Sequence, residues 1–248
     1  MHSAGYSFVI LNSVESTNNY AMAAIRDGVA KHGQAWFTHE QTKGKGRMGN
    51  AWRAESAKNI LLSIAIQPET LTLYQQFQLS VVASLSCFNL FKKYTGDDTK
   101  IKWPNDIFWN DRKAGGILIE NIIKNNIWQW AVIGIGININ QTVFDHESVF
   151  APVSLKQITG KDYDRIELAK ELHHMVMNTF EHLQNDGFDN LLTVYNKNLF
   201  GLEKKVKLKK NNMVFETEVR GVSPQGQLIT FDVIERRFDV NEVKWIKG

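Results

Sequence analysis

The sequence predicts an α+β fold, in which a mixed sheet with flanking helices precedes a small C-terminal β-barrel. Apolar β-branched runs alternate with two long amphipathic patterns, and Asn-containing turns at 110–111 and 125–126 join consecutive runs as hairpins. Hairpins favour a mixed or largely antiparallel sheet over regular βαβ units. From Glu203 onward the hydrophobic pattern has period two, with four or five short strands, which is typical of a small barrel. We therefore expect domains at 1–200 and 201–248.

Composition limits the class of protein. The chain has 248 residues, 43% of them hydrophobic and 22% charged, as in ordinary globular proteins. The net charge of +3 is too small to indicate nucleic-acid binding by charge alone. A single cysteine, Cys87, excludes an internal disulfide and lies in an apolar helical pattern, so we interpret it as a buried hydrophobe. The sequence shows neither a signal peptide nor an apolar run of the roughly 20 residues that span a bilayer. We expect a cytoplasmic protein.

In chain order, the first part contains three predicted strands and one helix. Ser16 or Thr17 would cap the helix, because Ser and Thr accept hydrogen bonds from the free N–H groups of a first turn. Pro68 ends the third strand. The predicted strands are 6–11, 34–39 and 59–66, and the helix follows Thr17.

The middle of the chain contains a long amphipathic helix, four strands and two further helices. Its helices have apolar residues on one side, and its last strand is interrupted by glycines. The segment 140–162 is predicted to be loop-like. The helices are predicted at 73–94, 164–184 and 188–199, and the strands at 100–103, 107–109, 114–123 and 128–139.

The loop from Gln41 to Trp52 interleaves three glycines with Lys43, Lys45 and Arg47. Glycine lets a ligand approach the main chain, and the cations donate charge-assisted hydrogen bonds, so the loop resembles an anion cradle. A solvated basic turn is the simpler alternative. The loop also contains a Gly-x-Gly-x-x-Gly spacing, but a strand follows it where a dinucleotide-binding fingerprint needs a helix. No Walker phosphate loop is present.

Two further segments have residues suited to binding. Pro104 fixes a turn after Lys102, which places an ammonium at a strand end; a surface lysine in a structural turn is the alternative. Asn138 follows the glycine-interrupted strand and offers both a donor and an acceptor; close helix packing is the alternative there. The sequence shows no nucleophile–base pair and no zinc spacing. Glycines, fixed cations and amides suit a reaction in which the protein positions anionic reactants.

Five motifs in order resemble the biotin protein ligases, over about residues 6–245. They are Ser16-Thr-Asn, Gln41-Thr-Lys-Gly-Lys-Gly-Arg-Met-Gly-Asn-Ala-Trp, Lys102-Trp-Pro-Asn-Asp, Lys113-Ala-Gly-Gly-Ile-Leu-Ile-Glu and Gly134-Ile-Gly-Ile-Asn-Ile-Asn. The resemblance implies an SH2-like catalytic domain, related to the class II synthetases, and an SH3-like C-terminal barrel. It also implies that biotin attacks the α-phosphate of ATP, with Mg²⁺ accompanying the nucleotide, and that biotinyl-5′-AMP then acylates a lysine of a biotin carboxyl carrier domain.

The resemblance also implies roles for individual residues. The biotin pocket would contain Ser16, Thr17, Asn18, Gln41, Lys45, Gly46, Arg47, Lys102 and Gly116. The nucleotide would contact Arg47, Trp52 and Asn138, and the catalytic residues would be Lys102 and Arg47. Lys45 and Met48 stand where many members have arginine, which leaves the grip on the adenylate in doubt.

The resemblance leaves several points open. We expect a short-form ligase without an N-terminal DNA-binding domain, and therefore no DNA binding. We also expect no membrane association. Some members of the family are homodimers and others are monomers. The alternatives are a lipoate or octanoate transferase-type relative and a non-catalytic biotin-binding regulator. Two of the motifs, Lys102-Trp-Pro-Asn-Asp and the glycine/arginine loop, argue against both.

Overall fold

The computed structural model describes residues 5–144 and 149–246. Seven strands form the first sheet in the order β1-β2-β3-β7-β6-β5-β4. The β1–β2 pair is parallel and all other neighbouring pairs are antiparallel, which confirms the prediction of a mixed sheet. The bounds are β1 (Phe8–Val14), β2 (Ala35–Gln41), β3 (Ile60–Ile66), β4 (Thr99–Lys102), β5 (Asp106–Trp109), β6 (Arg112–Lys124) and β7 (Ile127–Ile137).

Helices cover both faces of this sheet. The first helix buries Ala21 and Ile25 against Trp36 and Val132, while the second and fourth helices pack together on the opposite face in the main core. Cys87 is fully buried in that core, and burial raises the pKa of its thiol, as expected for a structural residue. The bounds are α1 (Thr17–Arg26), α2 (Gln76–Thr95), α3 (Leu155–Thr159), α4 (Arg165–Asp186) and α5 (Phe188–Lys197).

The short helix α3 lies in the segment that the sequence predicted to be loop-like. Ser154 caps it, accepting a hydrogen bond from the Gln157 backbone, while the Gln157 side chain accepts one from the Ser154 backbone. A five-residue helix is too short to show an amphipathic pattern, so only its capping residues could have indicated it. Part of the predicted loop, 145–148, lies outside the described residues.

Five strands form a second, C-terminal sheet in the order β11-β10-β9-β8-β12. Asn211 and Asn212 have positive φ values of 48° and 67° and form the two-residue turn between its first two strands. In the described residues no pairing joins the edge strands β11 and β12, and the five antiparallel strands agree with the predicted C-terminal β-domain. The bounds are β8 (Lys205–Lys210), β9 (Met213–Val222), β10 (Leu228–Phe231), β11 (Glu235–Phe238) and β12 (Lys244–Ile246).

The two sheets meet at the turn between β4 and β5. The indole nitrogen of Trp103 donates to the carbonyl of Gly226 over 2.9 Å, and both groups are buried there. Phe200 lies between the rings of Phe108 and Trp245, with centroid distances of 5.2 and 5.7 Å. The C-terminal sheet is therefore fixed next to the Lys102-Trp-Pro-Asn-Asp motif. Among the described residues, no helix has the length and apolarity needed to cross a membrane.

Candidate active site

A cavity of about 210 Å³ lies on the α1 face of the first sheet, beneath the loop 41–52. Its lining combines neutral hydrogen-bonding groups at one end with cations at the other. The predicted site residues that line it are Ser16, Thr17, Asn18, Gln41, Lys45, Gly46, Arg47, Trp52 and Gly116. Lys102 and Asn138 are absent from the lining.

Glycines make room for the cavity on the strands β6 and β7. A Cβ atom at Gly134 would overlap the amide of Asn18, and one at Gly136 would overlap the indole of Trp52. At Gly116 the nearest atom would be Cζ3 of Trp52, at 3.2 Å. The glycines that the sequence placed inside an apolar strand therefore allow polar side chains and an aromatic ring to lie directly on the sheet.

The neutral end of the cavity is a connected set of hydrogen bonds. Gln41 Oε1 accepts from the Thr17 backbone (2.8 Å) and the Thr17 hydroxyl (3.0 Å). Ser63 Oγ donates to Thr17 Oγ1 (2.8 Å) or Asn18 Oδ1 (2.6 Å). Asn18 Nδ2 in turn donates to Glu120 Oε2 over 2.8 Å. Because these bonds fix each amide, the free donors and acceptors of the pocket have defined directions.

Two members of this set, Ser63 and Glu120, were not among the predicted site residues. Ser63 interrupts the apolar strand β3, and a polar residue at a fully buried strand position is the signal that could have identified it. Glu120 is the last residue of the Lys113-Ala-Gly-Gly-Ile-Leu-Ile-Glu motif. The sequence did not show that it pairs with Asn18 on α1. Ser16, the remaining predicted residue here, caps α1 by accepting from the Asn19 backbone, which confirms one of the two proposed caps.

The cationic end of the cavity contains Lys113 and Arg47. Lys113 Nζ lies 2.7 Å from Asp106 Oδ1 and 5.9 Å from the centroid of the Trp52 ring. Arg47 Nη1 donates to Asn105 Oδ1 over 3.3 Å. Burial lowers the pKa of Arg47 and the nearby Asp106 carboxylate partly restores it, so the guanidinium stays charged. Lys45, nearer the neutral end, lies 3.7 Å from Glu120.

A β-bulge directs Lys113 into the cavity. In a regular strand Lys113 would face away from Gly116, because the two positions are three residues apart. The pairing of β5 with β6 shifts between Ile107 and Phe108, and this extra residue places Lys113 on the cavity face. The sequence motif contained Lys113, but the bulge that gives it this direction was not visible in the sequence.

Lys102 lies elsewhere. Its ammonium is surrounded by the rings of Phe150, Trp245 and Phe108, at 4.8, 5.0 and 5.3 Å from their centroids, and the side chain is 7% exposed. Burial is the main cause that lowers the pKa of Lys102 to about 8, and the positive charge of Lys113 lowers this pKa further. The structure therefore does not bring Lys102 into the cavity where a biotin contact was expected. Lys113 is the lysine of the two motifs that lies there.

Asn138 also differs from expectation. Its Nδ2 donates to the carbonyls of Lys113 (3.3 Å) and Val153 (3.2 Å), so its amide fixes the backbone beside the cavity. Trp52, the other residue expected near adenine, has its ring over Gly136, and its indole nitrogen is buried without a hydrogen-bond partner in the described residues. A ligand could supply that partner.

The loop 41–52 folds onto itself above the cavity. The Gly46 N–H donates to the Asn50 carbonyl (2.7 Å) and the Trp52 N–H to the Gly44 carbonyl (2.9 Å). Met48 has a φ of 55° and is 65% exposed, so its side chain points away from the cavity. Arg47 is the loop cation that reaches the β4–β5 turn, and Met48 is not part of the cavity lining.

The sequence and the fold match known proteins. Residues 10–138 match the biotin/lipoate A/B protein ligase family. The bifunctional ligase/repressor BirA of Escherichia coli is 29% identical over 229 residues, which cover 91% of this chain and 69% of that protein. The biotin–[acetyl-CoA-carboxylase] ligase of Paracoccus denitrificans is 33% identical over 133 residues, covering 52% of this chain and 53% of that protein.

Solved structures share the complete fold. The biotin protein ligase of Aquifex aeolicus in complex with biotin and ATP superposes with a TM-score of 0.82 at 24% identity, covering 98% of this chain and 99% of that one. The Leishmania major ligase in complex with biotinyl-5-AMP gives a TM-score of 0.66 at 19% identity, with 98% and 99% covered.

Proposed function

Because the chain belongs to the biotin/lipoate A/B protein ligase family, we propose that it is an ATP-dependent biotin protein ligase that modifies a carrier lysine. The observation that carries the proposal is a single cavity that joins a neutral hydrogen-bonding pocket to a cationic end beneath a glycine-rich loop. That combination suits a neutral ring system with an anionic tail that must meet a nucleotide phosphate.

The reaction has two half-reactions. A carboxylate oxygen of biotin forms a bond to the α-phosphorus of ATP, and pyrophosphate leaves with the bonding electron pair. The neutral ε-amine of an acceptor lysine then attacks the carbonyl carbon of biotinyl-5′-AMP, an amide forms, and AMP leaves after the amine has lost its proton. The protein supplies position and charge in both steps.

The neutral pocket would hold the ring system of biotin. Thr17 orients the Gln41 amide through Oε1, and Nε2 has no hydrogen-bond partner in the described part of the chain, so it could donate to a ligand carbonyl. Asn18 presents fixed polar atoms beside it, held by Ser63 from behind, and Gly134 lets the Asn18 amide lie directly on the sheet. We assign ring recognition to this end, with Ser16 contributing through its cap of α1.

The cationic end would hold the reacting carboxylate and phosphate. Two anions approach each other in adenylation, so fixed positive charge at their meeting point lowers the barrier. We assign this role to Lys113 and Arg47, and Lys113 replaces Lys102 in the expected mechanism because only Lys113 lines the cavity. Asp106 holds the Lys113 ammonium at 2.7 Å. Trp52 would cover the adenine, and Asn138 would act through the backbone of Lys113.

Mg²⁺ would enter with the nucleotide. The described residues contain no cluster of three metal-ligating side chains, and Asp106 is the carboxylate among those that line the cavity. Mg²⁺ in such sites is bound largely by substrate phosphates and water. We therefore write MgATP as the substrate.

The protein partner would be a biotin carboxyl carrier domain; the name of the Paracoccus relative gives acetyl-CoA carboxylase as the acceptor of that protein. The acceptor lysine must reach the carbonyl end of the cavity, next to Asp106 and Lys113. ATP and such carriers occur in the cytoplasm, and we place the activity there.

One assay tests the proposal. The protein is incubated with MgATP, an apo carrier domain and either biotin or lipoate, and the carrier mass is measured. A biotin adduct on the carrier lysine is the expected result. A lipoyl adduct in its place would assign the chain to the lipoate branch of the family. Biotin binding without any adduct would indicate a regulator and would contradict the proposal.

A further inference from the structure

Lys102 is a buried cation that the proposed reaction does not use. It ends β4, is 7% exposed, and has no carboxylate within ion-pair distance in the described part of the chain. Three aromatic rings surround it instead. Burial of a cation costs free energy, and an apolar side chain could fill the same space at lower cost. The charge therefore calls for an explanation in this chain.

The three rings come from different parts of the molecule. Phe108 belongs to β5, Phe150 lies in the segment before α3, and Trp245 belongs to β12 of the C-terminal sheet. An ammonium attracts each ring face, so the position of Lys102 sets the position of β12 relative to β4. The next residue, Trp103, adds the hydrogen bond to Gly226 on the same side.

Residues of the β4–β5 turn connect Lys102 to the cavity. Lys102 and Asp106 face each other across the β4–β5 hairpin, and Asp106 holds Lys113 at 2.7 Å. Between them, Asn105 accepts from Arg47 and donates to the carbonyl of Ile117. The charges are close enough to interact, because Asp106 raises and Lys113 lowers the pKa of Lys102. Asn105 and Asp106, in the turn after Lys102, therefore position Arg47 and Lys113 at the cationic end of the cavity.

We propose that Lys102 is a positioning residue for adenylation: its caged ammonium fixes the end of β4 against the C-terminal sheet and thereby holds Asp106 and Asn105 where they direct Lys113 and Arg47. The inference rests on the proposed function. It gives the C-terminal sheet a part in the first half-reaction through Trp245.

The test compares variants in biotin-dependent exchange of pyrophosphate into ATP. Lys102→Met keeps the length and bulk of the side chain but removes its charge, whereas Lys102→Arg keeps a cation that can face aromatic rings. Trp245→Leu removes one ring. Lys100→Met, on the same strand, is the control for loss of a charge outside the cage.

We expect Lys102→Met to lower kcat about tenfold with the KM for biotin within about twofold, because misplaced charge affects the transition state more than binding. Lys102→Arg should keep at least about half of the wild-type kcat, and Lys100→Met should match wild type. Trp245→Leu should lower kcat as much as Lys102→Met does. The double variant, Lys102→Met with Trp245→Leu, should lower kcat no more than the more damaging single substitution, because the two residues act as a unit.

A kcat for Lys102→Met within about twofold of wild type would overturn the inference, as would equal losses in Lys102→Arg and Lys102→Met. If Lys102→Met fails to fold, Trp245→Leu and Lys102→Arg decide the question. A normal kcat in Trp245→Leu would overturn the inference, and so would a large loss of kcat in Lys102→Arg. A wild-type protein that forms no adenylate overturns the proposed function and this inference together, whereas an active wild type with unaffected variants overturns this inference alone.

Discussion

Two lysines on strands separated by β5 have opposite surroundings. Lys113 is partly exposed and paired with Asp106 in the cavity, while Lys102 is enclosed by aromatic rings. Both belong to short motifs with adjacent charges, and the motifs alone do not separate them. Their surroundings do, because charge stabilisation requires a cation next to the reacting atoms, whereas a caged cation acts on its neighbours.

We expect Lys113→Ala to lower the rate of adenylate formation by at least about 100-fold, the effect of losing one preorganised charged donor. Biotin-dependent pyrophosphate exchange measures it. Lys124→Ala removes an exposed lysine from the end of the same strand and should leave the rate unchanged. A Lys113→Ala rate within about tenfold of wild type would contradict the assignment.

The pKa of Lys102 makes stability depend on pH. Burial, the main cause, lowers this pKa from 10.5 to about 8 in the folded chain. Between pH 8 and 10.5 the unfolded chain still binds the proton that the folded chain has released, so this residue's contribution to the free energy of unfolding increases with pH. The increase is on the order of 3 kcal/mol over the window.

Urea unfolding of wild type and Lys102→Met at pH 7.5 and 10.5 isolates this contribution. The wild type should gain stability relative to the variant as the pH rises, because methionine does not titrate. A difference between the two proteins that stays constant across the window would show that burial does not shift the pKa of Lys102.

A side chain at Gly134 would collide with Asn18 in the neutral pocket. We expect Gly134→Ala to weaken biotin binding about tenfold or more, because the added methyl group overlaps the Asn18 amide and forces it out of its network. Isothermal titration with biotin measures the change. Gly5→Ala adds a methyl group in open space and is the control. Unchanged biotin affinity in Gly134→Ala would place the ring system elsewhere.

At the scale of elements, the loop 41–52 and the sheet form two sides of one site. The loop is held by its own backbone bonds, and Arg47 connects it to Asn105 on the β4–β5 turn. We expect such a loop to open as a unit and to close over a ligand. In the proposed function Arg47 would combine a charge at the phosphate with closure of the loop over the cavity.

We expect Arg47→Gly to release biotinyl-5′-AMP at least about tenfold faster, since loss of a lid contact acts mainly on dissociation. Biotin labelling of a bystander protein with exposed lysines reports the released adenylate. Lys43→Gly changes a neighbouring loop cation whose ion pair with Glu15 is exposed and should have no effect. Equal bystander labelling by wild type and Arg47→Gly would contradict the lid assignment.

At the scale of the whole molecule, the two sheets share an interface next to the site. Lys102 and Trp103 occupy it from the first sheet, and Gly226 and Trp245 from the second. A buried interface of this kind couples the unfolding of the two parts. The position of the C-terminal sheet is thus part of the architecture of the site.

We expect Trp103→Phe to lower the free energy of unfolding by about 1–3 kcal/mol, because the Gly226 carbonyl loses its donor in a buried place. Urea denaturation measures it, and a single transition should persist. Trp109→Phe is the matched control, since its indole nitrogen is buried without a hydrogen-bond partner in the described residues. A larger loss in Trp109→Phe than in Trp103→Phe would contradict the coupling.

Most of the fold and part of the site could be predicted from the sequence. Periodicity located the long helices and the hairpin strands, because buried stripes repeat with the period of the element. The neutral pocket was also indicated, since Ser16, Thr17, Asn18 and Gln41 lie in compact motifs and line the cavity. The helix α3 and the pocket residue Ser63 were missed, one because it is short and the other because it lies in an apolar strand.

The sequence by itself determined the order of strands and helices, the mixed sheet, the family and the residues of the glycine-rich loop. These depend on local patterns, which are written in consecutive residues. Only the tertiary structure decided between Lys102 and Lys113, because a bulge between β5 and β6 turns one side chain toward the cavity and the rings of a distant strand enclose the other. The direction of a side chain depends on strand register and on neighbours far along the chain, and neither is a local property of the sequence.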